Sequence, residues 1–203
     1  MTMSELIDRL EAAGIPLNDL AKSAMMEVYP GDFTDYDLEP FWHDRPVPFL
    51  FTGFGATRTI SAPHMIATLL HHLEIIEGQD IMLIGSKGGY LAAIIDRMVG
   101  KEGSVTIIEP HDEVRLHTEE RLERHLSSGL IRVLLPNDLS GIDGFSRGFE
   151  RVLITGSVRE IPSAIGDLVL EGGFVLGPFG GPVHQRLLKR EKQGGTWFDT
   201  DLG

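Results

Sequence analysis

The sequence predicts an α/β fold with a mostly parallel central sheet, helices on both faces and a C-terminal antiparallel hairpin. The first observation is a run of four apolar residues, Ile81–Ile84, which passes through a glycine-rich turn into a helical pattern. A short apolar run that ends at glycine is typical of a strand buried on both faces. Further apolar runs alternate with helical patterns along the chain. Finally, Gly194-Gly195 separates two extended runs at the spacing of a hairpin.

The elements before this central strand are mainly helical. Apolar residues at helical spacing predict a first helix at 4–13, which Ser4 begins, and a second at 17–28. The stretch 32–48 is rich in turns and aromatic residues. We interpret it as an irregular segment whose aromatic side chains pack on the core and do not form a ligand cage. An amphipathic helix follows at 64–77, with Pro63 at its start.

After the central strand, strands and helices alternate to the end of the chain. The predicted strands are Val105–Glu109, Ile131–Leu135, Phe149–Thr155 and Phe174–Leu176, followed by hairpin strands at Gln185–Lys192 and Thr196–Thr200. The predicted helices extend from Leu91 to about Met98, from His111 to Leu126 and from Ile161 to Leu170, with Pro162 in the first turn of the last one.

Composition excludes several classes of function. A net charge of −12 argues against a nucleic-acid partner, which requires clustered lysine and arginine. The chain has no cysteine, which excludes disulfides and thiolate catalysis and is consistent with a cytoplasmic protein. The sequence contains no apolar run of membrane-spanning length, and we expect no membrane partner. We also expect no metal site, since no third ligand accompanies His71-His72.

The stretch Asp80–Tyr90 has the form of a nucleotide-type cofactor site. A strand, a glycine turn and a helix present free backbone N–H groups to a ligand at the end of the strand. Such turns also occur for packing alone. Glu109 ends the next predicted strand, and an acid at this distance suits the hydroxyls of a ribose. A helix cap or a surface carboxylate is an equally good interpretation of Glu109 from the sequence.

Ser61 lies just before the predicted helix that Pro63 begins. Its spacing alone favours the role of an N-cap, because serine satisfies the free N–H groups of a first helical turn.

The segment Thr59-Ile60-Ser61-Ala62-Pro63-His64-Met65 resembles the protein-L-isoaspartate O-methyltransferase family. The resemblance is colinear over about residues 20–190 and extends to other motifs. These are Ala24-Met25 through Phe33, Asp44-Arg45-Pro46-Val47-Pro48, Ile81–Tyr90, Thr106–Glu109, Phe149–Thr155 and Ile161–Gly173.

The resemblance implies a Rossmann-like, S-adenosylmethionine-dependent methyltransferase. It would transfer a methyl group to the carboxylate of isoaspartyl residues in damaged proteins or peptides. Residues 1–48 would form a helical and irregular extension packed on a methyltransferase domain at 49–203. The resemblance places Ser61 at the active-site serine, and Thr59 is a second hydroxyl suited to hold the acceptor. The cofactor would be bound by Gly85, Ser86, Lys87 and Gly89 at its methionine end, Glu109 at its ribose and Asn137 or Asp138 at its adenine.

The sequence departs from the family pattern at the cofactor turn. Leu83 replaces an acid, Lys87 replaces a glycine and Arg58 replaces a glutamine. Lys87 could pair with the carboxylate of the cofactor or block the pocket, and the sequence leaves both open. Two further hypotheses therefore remain beside the repair enzyme. The chain could be a catalytically silent homologue that acts as a binding or interaction module, or a methyltransferase with a different acceptor.

Overall fold

The computed structural model describes residues 1–125, 130–140, 148–181 and 183–203. The helices are α1 (Met3–Ala12), α2 (Asp19–Glu27), α3 (Glu39–Trp42), α4 (Pro63–Leu73), α5 (Tyr90–Val99), α6 (Asp112–Leu122) and α7 (Ser163–Gly166). The strands are β1 (Val47–Phe51), β2 (Thr57–Ile60), β3 (Asp80–Ile84), β4 (Ser104–Ile108), β5 (Ile131–Leu134), β6 (Phe149–Ile154), β7 (Val169–Gly180), β8 (Gln185–Gln193) and β9 (Thr196–Asp201). Short 3₁₀ turns lie at Pro30–Phe33, Lys87–Gly89 and Pro136–Ser140.

Among the described residues, seven strands form one sheet in the order β5-β4-β3-β6-β7-β8-β9. The strands from β5 to β7 pair in parallel, whereas β8 and β9 pair antiparallel. The chain runs outward from β3 through β4 to β5 and then returns to the other side of β3 as β6. This reversal creates a crevice at the carboxyl ends of β3 and β4, where open α/β sheets bind ligands. The predicted fold class is confirmed.

The central strand β3 is buried on both faces of the sheet. Ile81 and Leu83 belong to the larger apolar cluster, and Met82 belongs to the cluster on the opposite face. All three side chains are fully buried. Burial on both sides explains why the sequence shows a continuous apolar run here and no alternation.

The predicted helix at 161–170 is wrong over most of its length. Within this range only Ser163–Gly166, which form α7, are helical. Val169 already begins β7 and pairs with Phe149 of β6. The strand β7 is in turn much longer than predicted, since it continues to Gly180 along β8. The position 126, predicted to end the helix α6, lies outside the described residues.

The cap of α1 also differs from the prediction. Thr2, and not Ser4, is the N-cap residue: its hydroxyl accepts the N–H of Glu5, and the Glu5 carboxylate accepts the N–H of Thr2. The reciprocal pair satisfies two N–H groups that the first helical turn leaves free.

Aromatic side chains join the N-terminal segment to the helix that follows the central turn. Phe33 and Phe41 are fully buried, and their rings lie 5.6 Å and 5.7 Å from the ring of Tyr90, the first residue of α5. They pack in the core, as the sequence indicated. The domain boundary at residue 48 stays a prediction. No helix in the described part of the chain is both long enough and apolar enough to cross a membrane.

We expect Phe41→Ala to lower the free energy of unfolding by about 3–5 kcal/mol, because it leaves a cavity beside Tyr90. Urea unfolding followed by circular dichroism measures this. The matched control is Phe54→Ala, whose side chain is 97% exposed and whose replacement should change stability by less than about 0.5 kcal/mol. Equal effects of the two substitutions would show that the N-terminal segment does not contribute to the core.

Candidate functional site

A cavity of about 330 Å³ opens at the carboxyl ends of the parallel strands. It is lined by Ile84 at the end of β3, Gly85 directly after it, Glu109 after β4, Thr155 after β6 and the segment Thr57–Thr59 of β2. Its volume falls in the range of small-molecule sites. The cavity lies at the reversal of strand order, where the sheet topology predicts a ligand.

The carboxylate of Glu109 holds the turn that follows β3. Its Oε2 accepts the backbone N–H of Ser86 at 2.9 Å and the Ser86 hydroxyl at 3.0 Å. Its Oε1 accepts the N–H of His111 at 3.1 Å. The Ser86 hydroxyl in turn accepts the hydroxyl of Thr118 at 2.8 Å. Since Ser86 is fully buried, it supports the cavity from behind and is absent from its described lining.

Gly85 allows the hydroxyl of Thr155 to approach its backbone closely, because glycine has no side chain in the way. Its φ is +89°, and a Cβ built on it would lie 2.3 Å from Oγ1 of Thr155. The Thr155 hydroxyl donates to the carbonyls of Ile84 and Gly85, at 3.0 Å and 3.1 Å. Glycine is therefore required at this position for both conformation and space.

Lys87 lies in the turn with a strained backbone conformation. Its φ is +50°, in the left-handed region that lysine adopts only with strain. The side chain lines the cavity beside Arg58 of β2. Burial lowers the pKa of Lys87, and the charge of Arg58 lowers it further, while Glu109 opposes the shift. The turn thus places a partly buried, destabilised ammonium group at the cavity wall.

Thr59 lines the cavity, whereas Ser61 is half-buried in the connection between β2 and α4 and is absent from the described lining. Ser61 is not the N-cap that its spacing favoured. The N-cap residue of α4 is Ala62, and Asp44 Oδ1 accepts the N–H of His64 at 2.8 Å in place of a serine. In the described structure the Ser61 hydroxyl makes no hydrogen bond, so it is available as a donor.

Three other residues predicted for the cofactor lie away from the described cavity lining. Gly89 faces the side chains of Phe33, Thr118 and Leu122, at 3.3–3.4 Å from a Cβ built on it. Asn137 and Asp138 lie in the 3₁₀ turn after β5, where the Asp138 carboxylate accepts the N–H of Leu135 at 2.9 Å. Their contacts with a cofactor stay predictions.

The cavity also brings together several residues to which no sequence motif assigns a role. Thr155 and Ser157 follow β6, and His111 follows Glu109. A hydroxyl-rich segment directly after a buried parallel strand was the signal available for the first two. Arg58 was noted only as a departure from the family pattern, because nothing local shows that β2 packs against the turn at Lys87.

These features fit the class of Rossmann-like, S-adenosylmethionine-dependent methyltransferases. The residues present fit such a cofactor: Gly85 contributes backbone to the cavity wall, Glu109 offers a carboxylate, and a buried Nε of Arg58 lacks a hydrogen-bond acceptor. Phe49, Ile84 and Val114 add apolar surface for a nucleoside.

Comparison with known proteins specifies the family. The model of the family described as protein-L-isoaspartate(D-aspartate) O-methyltransferase matches residues 1–201. The chain belongs to this family, and the resemblance inferred from the sequence is confirmed. Its members are S-adenosylmethionine-dependent carboxyl O-methyltransferases, as predicted.

Individual relatives agree with this assignment. A protein-L-isoaspartate O-methyltransferase of Pyrobaculum islandicum is 29% identical over 191 residues, which cover 93% of this chain and 89% of the relative. One from Methanococcus aeolicus is 29% identical over 202 residues, which cover 99% of this chain and 90% of the relative. The structure of a Plasmodium falciparum protein described as such an enzyme, in complex with S-adenosyl-L-homocysteine, superposes with a TM-score of 0.79 at 23% identity. It covers 100% of this chain and 94% of its own, and at this identity the likeness shows the fold.

We expect Lys87→Gly to raise the free energy of unfolding of the ligand-free protein by about 1 kcal/mol, because it relieves the left-handed strain. Chemical denaturation measures the change. Lys87→Met serves as the matched variant, since it removes the charge and keeps the strain, so the difference between the two isolates the backbone contribution. A Lys87→Gly protein less stable than the wild type would contradict the strain at this position.

Proposed function

We propose that this chain transfers the methyl group of S-adenosylmethionine to the carboxylate of isoaspartyl residues in damaged proteins or peptides. The observation that carries the proposal is the family match over residues 1–201. It is supported by a cavity in which the turn after β3, Glu109 and Thr59 meet. We also propose a cytoplasmic location, which the absence of cysteine supports.

The cofactor supplies an electrophilic methyl group on a sulfonium. Among the protein groups, Glu109 is suited to the ribose. A carboxylate has about four acceptor sites, and Glu109 uses two on Oε2 and one on Oε1. One acceptor site on Oε1 is therefore left for a ribose hydroxyl. Gly85 lets the backbone approach the methionine end, and Phe49 gives an apolar surface.

The acceptor needs orientation more than it needs a base. An isoaspartyl carboxylate is already ionised near neutral pH, so no strong base has to remove a proton. The rate would come from alignment with the methyl group and from exclusion of water. Thr59 and Ser61 suit this task, because their hydroxyls donate hydrogen bonds without adding a charge. We assign them to the acceptor carboxylate.

The pair formed by Asp44 and His64 is suited to position Ser61. Asp44 Oδ1 accepts the backbone N–H of His64 at 2.8 Å, and Nδ1 of the His64 ring lies 2.9 Å from Oδ2. These contacts tie the segment that enters β1 to the first turn of α4. Since Ser61 lies three residues before His64, they limit the movement of the connection that carries its hydroxyl.

A silent binding module is the second candidate, and the strained Lys87 in the cavity favours it. Titration calorimetry with S-adenosyl-L-homocysteine distinguishes the two, because a module without a cofactor would give no heat. A different acceptor is tested by comparing methyl transfer to an isoaspartyl peptide with transfer to the matching aspartyl peptide. Preference for the isoaspartyl peptide supports the proposal, and equal transfer contradicts it.

We expect Ser61→Ala to lower kcat for the isoaspartyl peptide by about tenfold or more, because the acceptor carboxylate loses an orienting donor. Radiolabelled methyl transfer measures the rate. The free energy of unfolding should change by less than about 0.5 kcal/mol, since Ser61 makes no hydrogen bond in the described structure. The matched control is Ser4→Ala in the exposed part of α1, which should leave the rate unchanged. An unchanged rate for Ser61→Ala would remove the residue from the mechanism.

A further inference from the structure

Two cationic side chains line the same cavity, and neither is paired with a carboxylate in the part of the chain that the structure describes. Arg58 reaches it from β2, and Lys87 reaches it from the turn after β3. In the described parts of the chain, neither side chain forms a hydrogen bond or a salt bridge. The buried Nε of Arg58 has no acceptor, although arginine donors inside a protein are normally satisfied.

This arrangement is costly in the absence of a ligand. Burial disfavours the charged form of Lys87, and the neighbouring charge of Arg58 disfavours it further. The left-handed backbone of Lys87 adds strain. Residues that destabilise a cavity wall in this way are expected where a ligand repays the cost. Glu109 attracts the charge of Lys87 but forms no ion pair with it, so a ligand anion is the group that would pair with both cations.

Both reactants of the proposed methyl transfer carry a carboxylate, and the chemistry distinguishes them. The acceptor carboxylate loses its charge when it becomes a methyl ester, so cations beside it would stabilise the ground state more than the transition state. The α-carboxylate of the cofactor keeps its charge throughout. Cations can therefore bind the cofactor carboxylate without slowing the reaction.

The described cavity lining is unsuited to the ammonium group of the cofactor. Its one carboxylate belongs to Glu109, which already accepts three hydrogen bonds from Ser86 and His111. Leu83, at the position where the family has an acid, is fully buried in the core. The two free cations, Arg58 and Lys87, would repel an ammonium group.

We propose that Arg58 and Lys87 bind the α-carboxylate of the cofactor, so that this chain recognises the amino-acid end of S-adenosylmethionine through its carboxylate and not through its ammonium group. The inference rests on the proposed function and deepens it. It also assigns to Lys87 the pairing role that the sequence left open beside blockage of the pocket.

The test compares three ligands by titration calorimetry with the full chain. S-adenosyl-L-homocysteine has both groups, the 3-carboxypropyl thioether of adenosine lacks the amino group, and the 3-aminopropyl thioether lacks the carboxylate. Loss of the carboxylate should raise Kd by about tenfold or more, because charge-assisted hydrogen bonds are lost. Loss of the amino group should raise Kd by less than about threefold, as expected for a group with no charged partner.

Two independent variants test the residues themselves. Lys87→Met and Arg58→Gln should each weaken S-adenosyl-L-homocysteine by about tenfold and leave the 3-aminopropyl ligand within about threefold of the wild type. Lys87→Arg should restore most of the affinity. The control Lys101→Met changes an exposed lysine before β4, at the opposite end of the sheet, and should bind every ligand as the wild type does.

The possible failures are distinguishable. If the carboxylate matters no more than the amino group, the carboxylate site is overturned while the cofactor assignment stands. If Lys87→Met tightens S-adenosyl-L-homocysteine, the lysine blocks the pocket and the inference is again wrong. If the wild type binds none of the three ligands, the proposed function fails together with the inference.

Discussion

The hydrogen bonds of one carboxylate determine the shape of the cavity. Glu109, at the end of β4, binds the backbone and the hydroxyl of Ser86 and so fixes the turn that follows β3. These groups are buried, and a buried carboxylate is tolerated only when it is hydrogen-bonded or paired. Because the turn is held there, Gly85 presents its backbone to the crevice and Lys87 is placed beside Arg58.

In this account the cavity wall lowers the stability of the ligand-free protein and strengthens the binding of the ligand. A glycine at position 87 would adopt the left-handed conformation freely, and an apolar side chain would avoid the desolvation that lowers the pKa of Lys87. The chain instead has two cations in the cavity wall that form no salt bridge among the described residues. The carboxylate of a bound cofactor would offset this loss of stability, because it would supply the negative charge that pairs with both cations. A departure from the family pattern, which first suggested a degraded site, is then a different way of holding the same cofactor.

The sequence predicted the fold well because the signals are local. Ile81–Ile84 reports burial on both faces, and Gly194-Gly195 reports a hairpin. It failed where distant residues decide the structure. Ser61 had the spacing of an N-cap, yet Asp44 takes the N–H of His64 from twenty residues away in the sequence. The helix at 161–170 lost most of its length because pairing with β6 makes Val169 part of a strand. Likewise, Arg58 and Lys87 are adjacent only because β2 packs on the turn.

The most direct test of the central claim is a crystal structure of the chain with S-adenosyl-L-homocysteine bound. We predict that Nζ of Lys87 and the guanidinium group of Arg58 lie within about 2.7–3.2 Å of the α-carboxylate oxygens. The ammonium group of the ligand should then contact neutral acceptors or solvent. A structure in which the Lys87 side chain fills the cavity, or in which the ligand carboxylate lies away from both cations, would contradict the account.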